Sequence, residues 1–458
     1  MAVRVQKMTE GNPSKLIFFF AIPLMLGNMF QQMYTIVDTL IVSRALGVKA
    51  LAAMGSADWF LFMFPAITMG FTQGFSILIA QDFGAGDWKK LSRAMAHSIK
   101  LSIGAAILLT ALSIAITDPV LALLRTPQEI RPLSRTYLII FFAGLPASML
   151  FNFTSAVLRA LGNSKIPLWA MIAASAANIV LDLLFVVVFH WGIGGAAFAT
   201  VLSQVMAGLL CTAALIRVPD LTISRSDFRK VEGLDLTLLK LGLPMVLQNI
   251  LISVGGMIVG YVVNGQGVTF IAGYTATNKL YGMLEVASTA YGFAILTYMG
   301  QNYGARLGHR LSKGLKAGTL IAVATAAAIS LVMIFFGRDI IGAFLSTDTQ
   351  QARDAVVIAY RYLFIMSCGL PILYILYVVR STLQGLGDTL VPMLSGLAEF
   401  TMRTIMALAV TPLIGGTAIM IGEVAAWTGA DLVMVPTVLH RFRTLKDIRP
   451  EEPIPEKE

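Results

Sequence analysis

The chain has 458 residues, of which 57% are hydrophobic and only 13% are charged, and its mean hydropathy is +0.78. Soluble domains carry roughly 25% charged residues, so this composition excludes a soluble protein and predicts an integral membrane protein. Because one membrane-spanning helix takes about 20 apolar residues, the length allows about a dozen spans and excludes a large extramembrane catalytic domain. The net charge is +9, and the basic residues that produce it are scattered over the interhelical loops without aromatic residues between them. This distribution indicates anchoring at an anionic membrane surface and disfavours nucleic-acid binding.

Apolar stretches separated by charged or Gly/Pro-rich loops predict an all-α membrane protein with twelve spans. The first six spans lie at about 15–43, 51–81, 94–117, 133–158, 166–189 and 193–216. The second six lie at about 237–263, 269–300, 312–336, 355–382, 390–412 and 415–439. The longest polar stretch, Arg217 to Asp235, separates the two sets. We therefore expect an N-terminal six-helix lobe at 1–216, a cytoplasmic linker at 217–236, a C-terminal six-helix lobe at 237–440 and a cytoplasmic tail at 441–458.

Short motifs occur in the same order, and at nearly the same offset, in both halves of the chain. The pairs are Pro23-Leu-Met-Leu-Gly-Asn28 with Pro244-Met-Val-Leu-Gln-Asn249, Gln81-Asp-Phe-Gly-Ala85 with Gln301-Asn-Tyr-Gly-Ala305, Gly144-Leu-Pro146 with Gly369-Leu-Pro371, and Leu161-Gly162 and Pro167 with Leu386-Gly387 and Pro392. Such repeats are typical of secondary transporters. Because each half has an even number of spans, the repeats are parallel, and we expect two lobes facing each other across a central cleft.

Basic residues predict the orientation of the chain in the membrane. The even-numbered loops and the termini carry more lysine and arginine than the odd-numbered loops. The positive-inside rule therefore places both termini in the cytoplasm, with the protein in the cell membrane. Cys211 and Cys368 lie in apolar stretches, and their spacing excludes a disulfide framework or a CxxC metal site.

Two carboxylic acids interrupt apolar spans, where each costs about 2.5–3.5 kcal/mol on insertion scales. Asp38 lies in the first span and Asp182 in the fifth, and Asn178 shares a helix face with Asp182 through i, i+4 spacing. If the two acids face each other in a dry site, they cannot both ionise cheaply, which predicts a proton-binding site. Protonation would change the hydrogen bonds to Asn178 and Thr200 and let the first helix bend at Pro23, which has no backbone N–H. Alternatively, the acids are buried hydrogen-bonding residues that hold helices together, and Thr200 is a packing residue.

The repeat pairs Asp38 with Val259 and Asp182 with Ala407, so the second half lacks both acids. A pair needed only for packing would be expected in both halves, whereas a coupling site need occur only once. The asymmetry therefore favours the functional interpretation of the two aspartates.

Other polar or polarizable residues in the spans are candidates for contact with a substrate. Glu423 and Asp431 share one helix face with Trp427, where they either bind a cation or line a solvated crevice. Glu285 is a second candidate for attracting a cation, whereas Glu399 and Arg403 are read as a neutralising i, i+4 pair. The remaining candidates lie on helices expected to border the cleft or the carboxylate pocket: Gln32, Met33, Met54, Met149 and Asn152.

Over nearly its full length the chain resembles the multidrug and toxic compound extrusion transporters. The resemblance is carried by Pro23, Gln31, Gln32 and Asp38, by Gln81-x-Phe-Gly-Ala85 and Gln301-x-Tyr-Gly-Ala305, by Leu161-Gly162-Asn163-Ser-x-x-Pro167, and by Asn178-x-x-x-Asp182. It implies two six-helix bundles that export mostly cationic, amphipathic compounds in exchange for protons or sodium ions. The chain is most similar to the prokaryotic branch with an N-terminal-lobe cation site, here Asp38, Asp182, Asn178 and Thr200, with Tyr34 and Tyr137 in the same pocket.

The chain departs from the sodium-driven branch of that family, whose C-terminal lobe has acids in helices 7 and 10. Helix 7 here carries Gln248 and Asn249, and helix 10 has no acid. We therefore favour protons as the coupling ion, while sodium at Asp38, Asn178, Asp182 and Thr200 stays open because their oxygens are hard ligands. No other metal or cofactor is expected.

Two alternatives to drug antiport remain. A basic cleft would favour a flippase of a lipid-linked precursor, whereas the cleft helices carry more acids than bases apart from Arg380 and Arg403, which favours cations. An intramembrane enzyme is disfavoured because the histidines lie near loops and neither HExxH nor GxSxG occurs, so no catalytic residue is assigned. We expect a monomer that binds small organic cations or amphipathic drugs within the bilayer.

Overall fold

The structure is a computed structural model that describes residues 5–55, 58–344 and 349–445. The predicted tail at 441–458 lies partly outside the described residues. Within the described part, the chain is helical and has no strand, as the all-α prediction requires.

Twelve long helical segments follow one another in the described chain, and they correspond to the twelve predicted spans. They are α1 (Pro13–Leu46), α2 (Asp58–Ala85), α3 (Trp88–Leu123), α4 (Arg131–Ala143 and Leu145–Ala160), α5 (Lys165–Asp182, continued by a π-helix at Leu183–Val188), α6 (Gly192–Leu215), α7 (Leu234–Asn264), α8 (Val268–Gly304), α9 (Gly308–Phe344), α10 (Gln350–Gly385), α11 (Leu390–Ile405, continued by a π-helix at Met406–Val410 and by Thr411–Ile414) and α12 (Thr417–Leu445). A short helix at Val48–Gly55 precedes α2, and a 3-10 turn at Arg225–Phe228 lies in the linker.

Length and composition make ten of the described helices able to cross a membrane, or eleven when the two halves of α4 count as one span. The segment outside this set is α8, a helix of 37 residues that is rich in glycine, tyrosine and threonine. These residues lower its mean hydropathy without breaking it. A polar span of this kind is stable when protein, rather than lipid, surrounds its polar face.

The α4 helix is broken at Gly144 by a bend of 43°. Pro146 follows at the start of the second half, and a Cβ atom at Gly144 would lie 2.2 Å from Cγ2 of Val201 in α6. The repeat-related Gly369 in α10 makes the equivalent contact, because its Cβ would lie 2.5 Å from Cγ2 of Val424 in α12. Both glycines therefore permit a close helix approach, although α10 continues unbroken through Pro371.

Several helices extend beyond the predicted spans, most clearly α3 and α9, with 36 and 37 residues. Hydropathy detects only the apolar centre of a helix, whereas polar end turns also keep helical hydrogen bonds. The predicted second span at 51–81 covers part of the short helix Val48–Gly55 and most of α2, which is described from Asp58. The α1 helix continues through Pro23.

Close contacts divide the chain into two compact units. Unit 1 contains Ile22–Ile79 and Trp88–Ile250, together with the segment that ends at Gln6. Unit 2 contains Lys7–Ala21, Ala80–Asp87 and the chain from Leu251 onward. The predicted division into lobes at 216 and 237 follows the sequence repeat, and it stays a prediction.

Candidate functional site

The two predicted aspartates lie together inside unit 1. Asp38 of α1 is 6% exposed and Asp182 of α5 is 0% exposed. Their carboxyl groups lie within hydrogen-bonding range of each other. Since two carboxylates have only acceptor atoms, this contact becomes a hydrogen bond when one of them carries a proton. The structure therefore brings the two acids into the arrangement that a shared proton requires.

The other residues predicted for this pocket surround the carboxyl pair. The Nδ2 group of buried Asn178 donates to Oγ1 of Thr200 at 3.5 Å, which connects α5 to α6. Tyr34 and Tyr137 both lie close enough to interact electrostatically with the two aspartates. The pocket thus joins α1, the first half of α4, α5 and α6 through polar side chains.

Several oxygen atoms in this pocket accept no hydrogen bond from the described part of the chain. They are Oδ1 of Asp38, Oδ1 of Asn178 and both carboxyl oxygens of Asp182. Buried acceptors are ordinarily paired, and an unpaired one costs about 1–3 kcal/mol. A proton, or a small cation with oxygen ligands, is the chemical species that this set of atoms can hold.

A π-helix begins directly after Asp182 and runs from Leu183 to Val188. Its repeat-related counterpart is the π-helix Met406–Val410 in α11. π-Turns are rare and are frequent at functional sites because they rotate the following residues relative to a regular helix. Sequence periodicity did not predict either segment, since both consist only of apolar residues and such a run does not show how many residues each turn contains.

Repeat-related positions in unit 2 contain a different set of side chains. Val259 and Ala407, the counterparts of the two aspartates, belong to one buried apolar cluster with Val263 and Ile419. The offset between the repeated motifs also relates Tyr137 to Tyr362 and Asn178 to Arg403. The repeat alignment therefore identifies the equivalent place correctly, and that place has no carboxyl pair among the described residues.

Instead, unit 2 contains a buried ion-pair network centred on arginines of α10 and α11. Arg403 donates to Oε2 of Glu423 from Nε at 3.0 Å and from Nη2 at 2.9 Å. Glu399 lies 3.6 Å from the same guanidinium group and also pairs with Arg380. The predicted Glu399–Arg403 contact is thus part of a larger network than an isolated intrahelical pair. Arg380 was not predicted as its second partner because this contact joins different helices.

Glu285 and Trp427 lie beside this network. The Tyr377 hydroxyl donates to Oε1 of Glu285, and Tyr281 stacks on Trp427 with ring centroids 5.9 Å apart. Tyr281 also interacts electrostatically with Glu285 and Glu423. Oδ1 of Asp431 accepts no hydrogen bond within the described chain. Together, these side chains form a region of four carboxyl groups, two guanidinium groups and stacked aromatic rings.

The remaining substrate candidates lie in different surroundings. Gln32 and Met33 are exposed on α1, and Met54 packs against an apolar cluster. Met149 is buried in another apolar cluster, and Asn152 donates to Thr68 at 3.3 Å. Their predicted contacts with substrate stay predictions.

Comparison with known proteins identifies the family. A MatE profile matches residues 23–184 and again residues 244–409. The first match begins at Pro23 and the second at Pro244, the two prolines that open the first pair of repeated motifs. The profile therefore recognises the same internal repeat that the sequence motifs indicate.

Curated relatives cover most of the chain. It is 30% identical over 398 residues to the probable multidrug resistance protein YpnP of Bacillus subtilis (strain 168), covering 87% of this chain and 88% of the relative. It is 23% identical over 388 residues to the multidrug export protein MepA of Staphylococcus aureus (strain MSSA476), covering 83% and 84%.

Solved structures share the fold. An outward-facing multidrug resistance MATE family transporter of the MOP superfamily superposes with a TM-score of 0.86 at 24% identity, covering 97% of this chain and 99% of the other. A MOP superfamily transporter from Pyrococcus furiosus superposes with a TM-score of 0.87 at 24% identity, covering 97% and 100%. With both halves matched by the family profile, the chain belongs to the MatE family of membrane transporters and is not an enzyme.

Proposed function

We propose that this transporter is a monomeric secondary antiporter of the cell membrane that exports amphipathic, mostly cationic organic compounds in exchange for protons. The observation that carries the proposal is the pair of buried carboxyl groups at Asp38 and Asp182. The names of the relatives, which are multidrug resistance and multidrug export proteins, support the substrate class.

Proton exchange at the carboxyl pair supplies a reason for the transporter to change shape. One proton bridges the two carboxyl groups, and losing it leaves two negative charges at short range in a dry site. That repulsion favours a state in which α1 and α5 move apart or admit a compensating cation. Occupancy of the site is thereby linked to conformation, as alternating access requires.

The polar region of unit 2 supports the cationic substrate class. Its four acids outnumber its two arginines, and the half-buried ring of Tyr281, which stacks on the buried Trp427, offers flat aromatic surface beside Glu285. A cation over such rings gains roughly 0.5–2 kcal/mol. Because Glu423 is already paired with Arg403, Glu285 is the better candidate for contact with a cation.

The proposal is tested in vesicles containing the purified protein, with ethidium as the transported cation. A gradient of two pH units supplies about 2.7 kcal/mol per proton, enough for about 100-fold accumulation at one-to-one exchange. We expect this pH gradient to drive ethidium transport. A sodium gradient at constant pH should drive none.

Transport driven by sodium alone would assign the same pocket to sodium. Transport driven by neither gradient would contradict coupled antiport. Vesicles without protein, carrying the same gradients, are the control for passive redistribution of ethidium.

A further inference from the structure

Two arginines share a cavity between α9 and α10, outside the transport residues described above. The cavity has a volume of about 330 Å³ and is lined by Arg338, Val357, Tyr360, Arg361 and Phe364. Arg338 lies near the end of α9. The other four residues have i, i+3, i+4 and i+7 spacing, so they occupy one face of α10.

The walls of this cavity are held by direct contacts between the two helices. The Tyr360 hydroxyl donates to the carbonyl oxygen of Ile334 in α9 at 2.7 Å. A Cβ atom at Gly337 would lie 2.7 Å from Cδ2 of Leu363, so the helices approach closely beside the cavity. The two arginines are therefore presented by a fixed helix pair rather than by a loop.

Both arginines are exposed, and neither guanidinium group forms a salt bridge within residues 5–55, 58–344 and 349–445. Two acids lie nearby in sequence. Asp339 follows Arg338 directly, and adjacent helix positions do not face each other. Asp354 accepts a hydrogen bond from Gln350. The cavity thus keeps two positive charges available for an anionic ligand.

The surroundings of the cavity are strongly apolar and aromatic. Phe335 is 72% exposed, Phe336 59%, Val357 57% and Phe364 43%. In a membrane protein, exposed apolar side chains of this kind contact acyl chains, and aromatic and arginine side chains concentrate where the acyl region meets the headgroups. Charge and apolar surface therefore meet at one place.

We propose that this cavity binds the headgroup phosphate of an anionic phospholipid, with its acyl chains lying against Phe335, Phe336 and Phe364. A planar guanidinium group forms paired hydrogen bonds with phosphate, and two such groups favour a lipid with a net negative charge over a zwitterionic one. With both termini in the cytoplasm, as the basic residues predict, this end of α9 lies at the outer leaflet.

Native mass spectrometry with defined lipids tests the proposal. The purified protein is titrated with phosphatidylglycerol and, separately, with phosphatidylcholine of the same chains. We expect one phosphatidylglycerol molecule to be retained about 10-fold more tightly than phosphatidylcholine, because charge-assisted hydrogen bonds are each worth about 1.5–3 kcal/mol.

Three double variants separate a phosphate site from general surface charge. Arg338→Gln with Arg361→Gln should abolish the preference for phosphatidylglycerol. Arg338→Lys with Arg361→Lys keeps the charge but removes the planar fork, and it should retain only part of the preference. Arg44→Gln with Arg125→Gln removes the same charge from two exposed arginines outside the cavity, one in the last turn of α1 and one in the loop after α3, and should bind like the parent.

Equal retention of both lipids by the parent would overturn the proposal. So would a lysine variant that binds as tightly as the parent, since diffuse charge would then explain the preference. A glutamine variant of the two cavity arginines that binds lipid like the Arg44→Gln, Arg125→Gln control would also overturn it. Because Arg338 and Arg361 are exposed, we expect all variants to keep the parent's unfolding temperature without added lipid, which separates loss of binding from loss of fold.

Discussion

At the scale of single residues, buried charges in this transporter are arranged in two ways. Asp38 and Asp182 form a like-charged pair, whereas Arg403 is surrounded by opposite charges from Glu399 and Glu423. A like-charged pair changes its interaction energy when it gains or loses one proton. A network of paired opposite charges resists such a change, because losing one partner leaves a buried charge unpaired. The first arrangement is suited to coupling and the second to holding helices together.

The network of unit 2 predicts a ranking of two glutamate variants. Glu423→Gln removes a carboxylate whose side chain is 14% exposed and leaves Arg403 with only Glu399 at 3.6 Å. Removing one partner of a buried ion pair costs about 3–5 kcal/mol, and the remaining partner places this variant near the lower end, about 3 kcal/mol.

Glu285→Gln is the matched comparison. Its side-chain oxygen can still accept from Tyr377, so we expect a cost of about 1 kcal/mol. Thermal unfolding in detergent should rank the parent above Glu285→Gln and Glu285→Gln above Glu423→Gln. The reverse order of the two variants would show that Glu423 is not a structural partner of Arg403.

Sequence reasoning identified the residues of the carboxylate pocket and the Glu399–Arg403 pair, but not the interhelical contacts that extend this pair into a network. Asp38 and Asp182 stand out because acids in apolar spans are costly, and Asn178 shares a face with Asp182 through regular helix spacing. The Arg380–Glu399 and Arg403–Glu423 contacts join different helices. Which helix faces lie opposite each other depends on tertiary packing, which one sequence without an alignment does not specify.

At the scale of helices, the repeated Gln-x-x-Gly motifs form a close crossing within unit 2. A Cβ atom at Gly84 of α2 would lie 2.0 Å from the carbonyl oxygen of Gln301, and one at Gly304 of α8 would lie 1.9 Å from that of Gln81. The two contacts are related by the sequence repeat. Glycine is required at both positions because the partner atoms belong to the backbone and cannot rotate away.

The side chains of the same motifs also bind backbone groups at this crossing. Gln81 donates from Nε2 to the carbonyl oxygen of Gly385 at 2.9 Å. Oε1 of Gln301 accepts from the backbone N–H of Met8 at 2.7 Å, and Met8 is fully buried. The motif thus connects α2, α8, α10 and the segment before α1.

Alanine at Gly84 or Gly304 should therefore separate α2 from α8. We expect each variant to lose about 1–3 kcal/mol of stability by overpacking. Gly104→Ala in α3 is the control, because a Cβ atom there meets no other group within 4 Å and alanine favours a helix by up to about 1 kcal/mol. Thermal unfolding of the three variants checks the ranking, and equal stability of Gly84→Ala and Gly104→Ala would refute the close crossing.

Hydropathy predicted where the helices lie, but not where their backbone departs from a regular α-helix. All twelve predicted spans correspond to helical segments, including the glycine-, tyrosine- and threonine-rich α8. The two π-helices were not predicted. Each lies in a continuous run of apolar residues, and such a run does not show how many residues each helical turn contains.

At the scale of the whole molecule, the basic residues predict an orientation that fusion proteins can test. A green fluorescent protein fused after residue 445 should fluoresce, and alkaline phosphatase fused there should be inactive, because both termini are expected in the cytoplasm. A phosphatase inserted after Arg125, in the loop between α3 and α4, should be active. The opposite pattern would invert the proposed direction of transport and place the Arg338–Arg361 cavity in the inner leaflet.

The central claim is that protons and the exported cation compete through the Asp38–Asp182 pair. Linkage requires that if proton binding weakens substrate binding, substrate binding must release protons to the same extent. Release can be measured directly as acidification of a weakly buffered solution of purified protein when ethidium is added. Two isosteric variants, Asp38→Asn and Asp182→Asn, remove one titratable carboxyl group each.

The parent protein should release up to one proton per bound ethidium near neutral pH, and each asparagine variant should still bind ethidium while releasing none. Glu285→Gln, which leaves the carboxyl pair intact, should release protons in proportion to the ethidium it binds. Release from the asparagine variants equal to that of the parent, or binding by the parent without any release, would contradict the account.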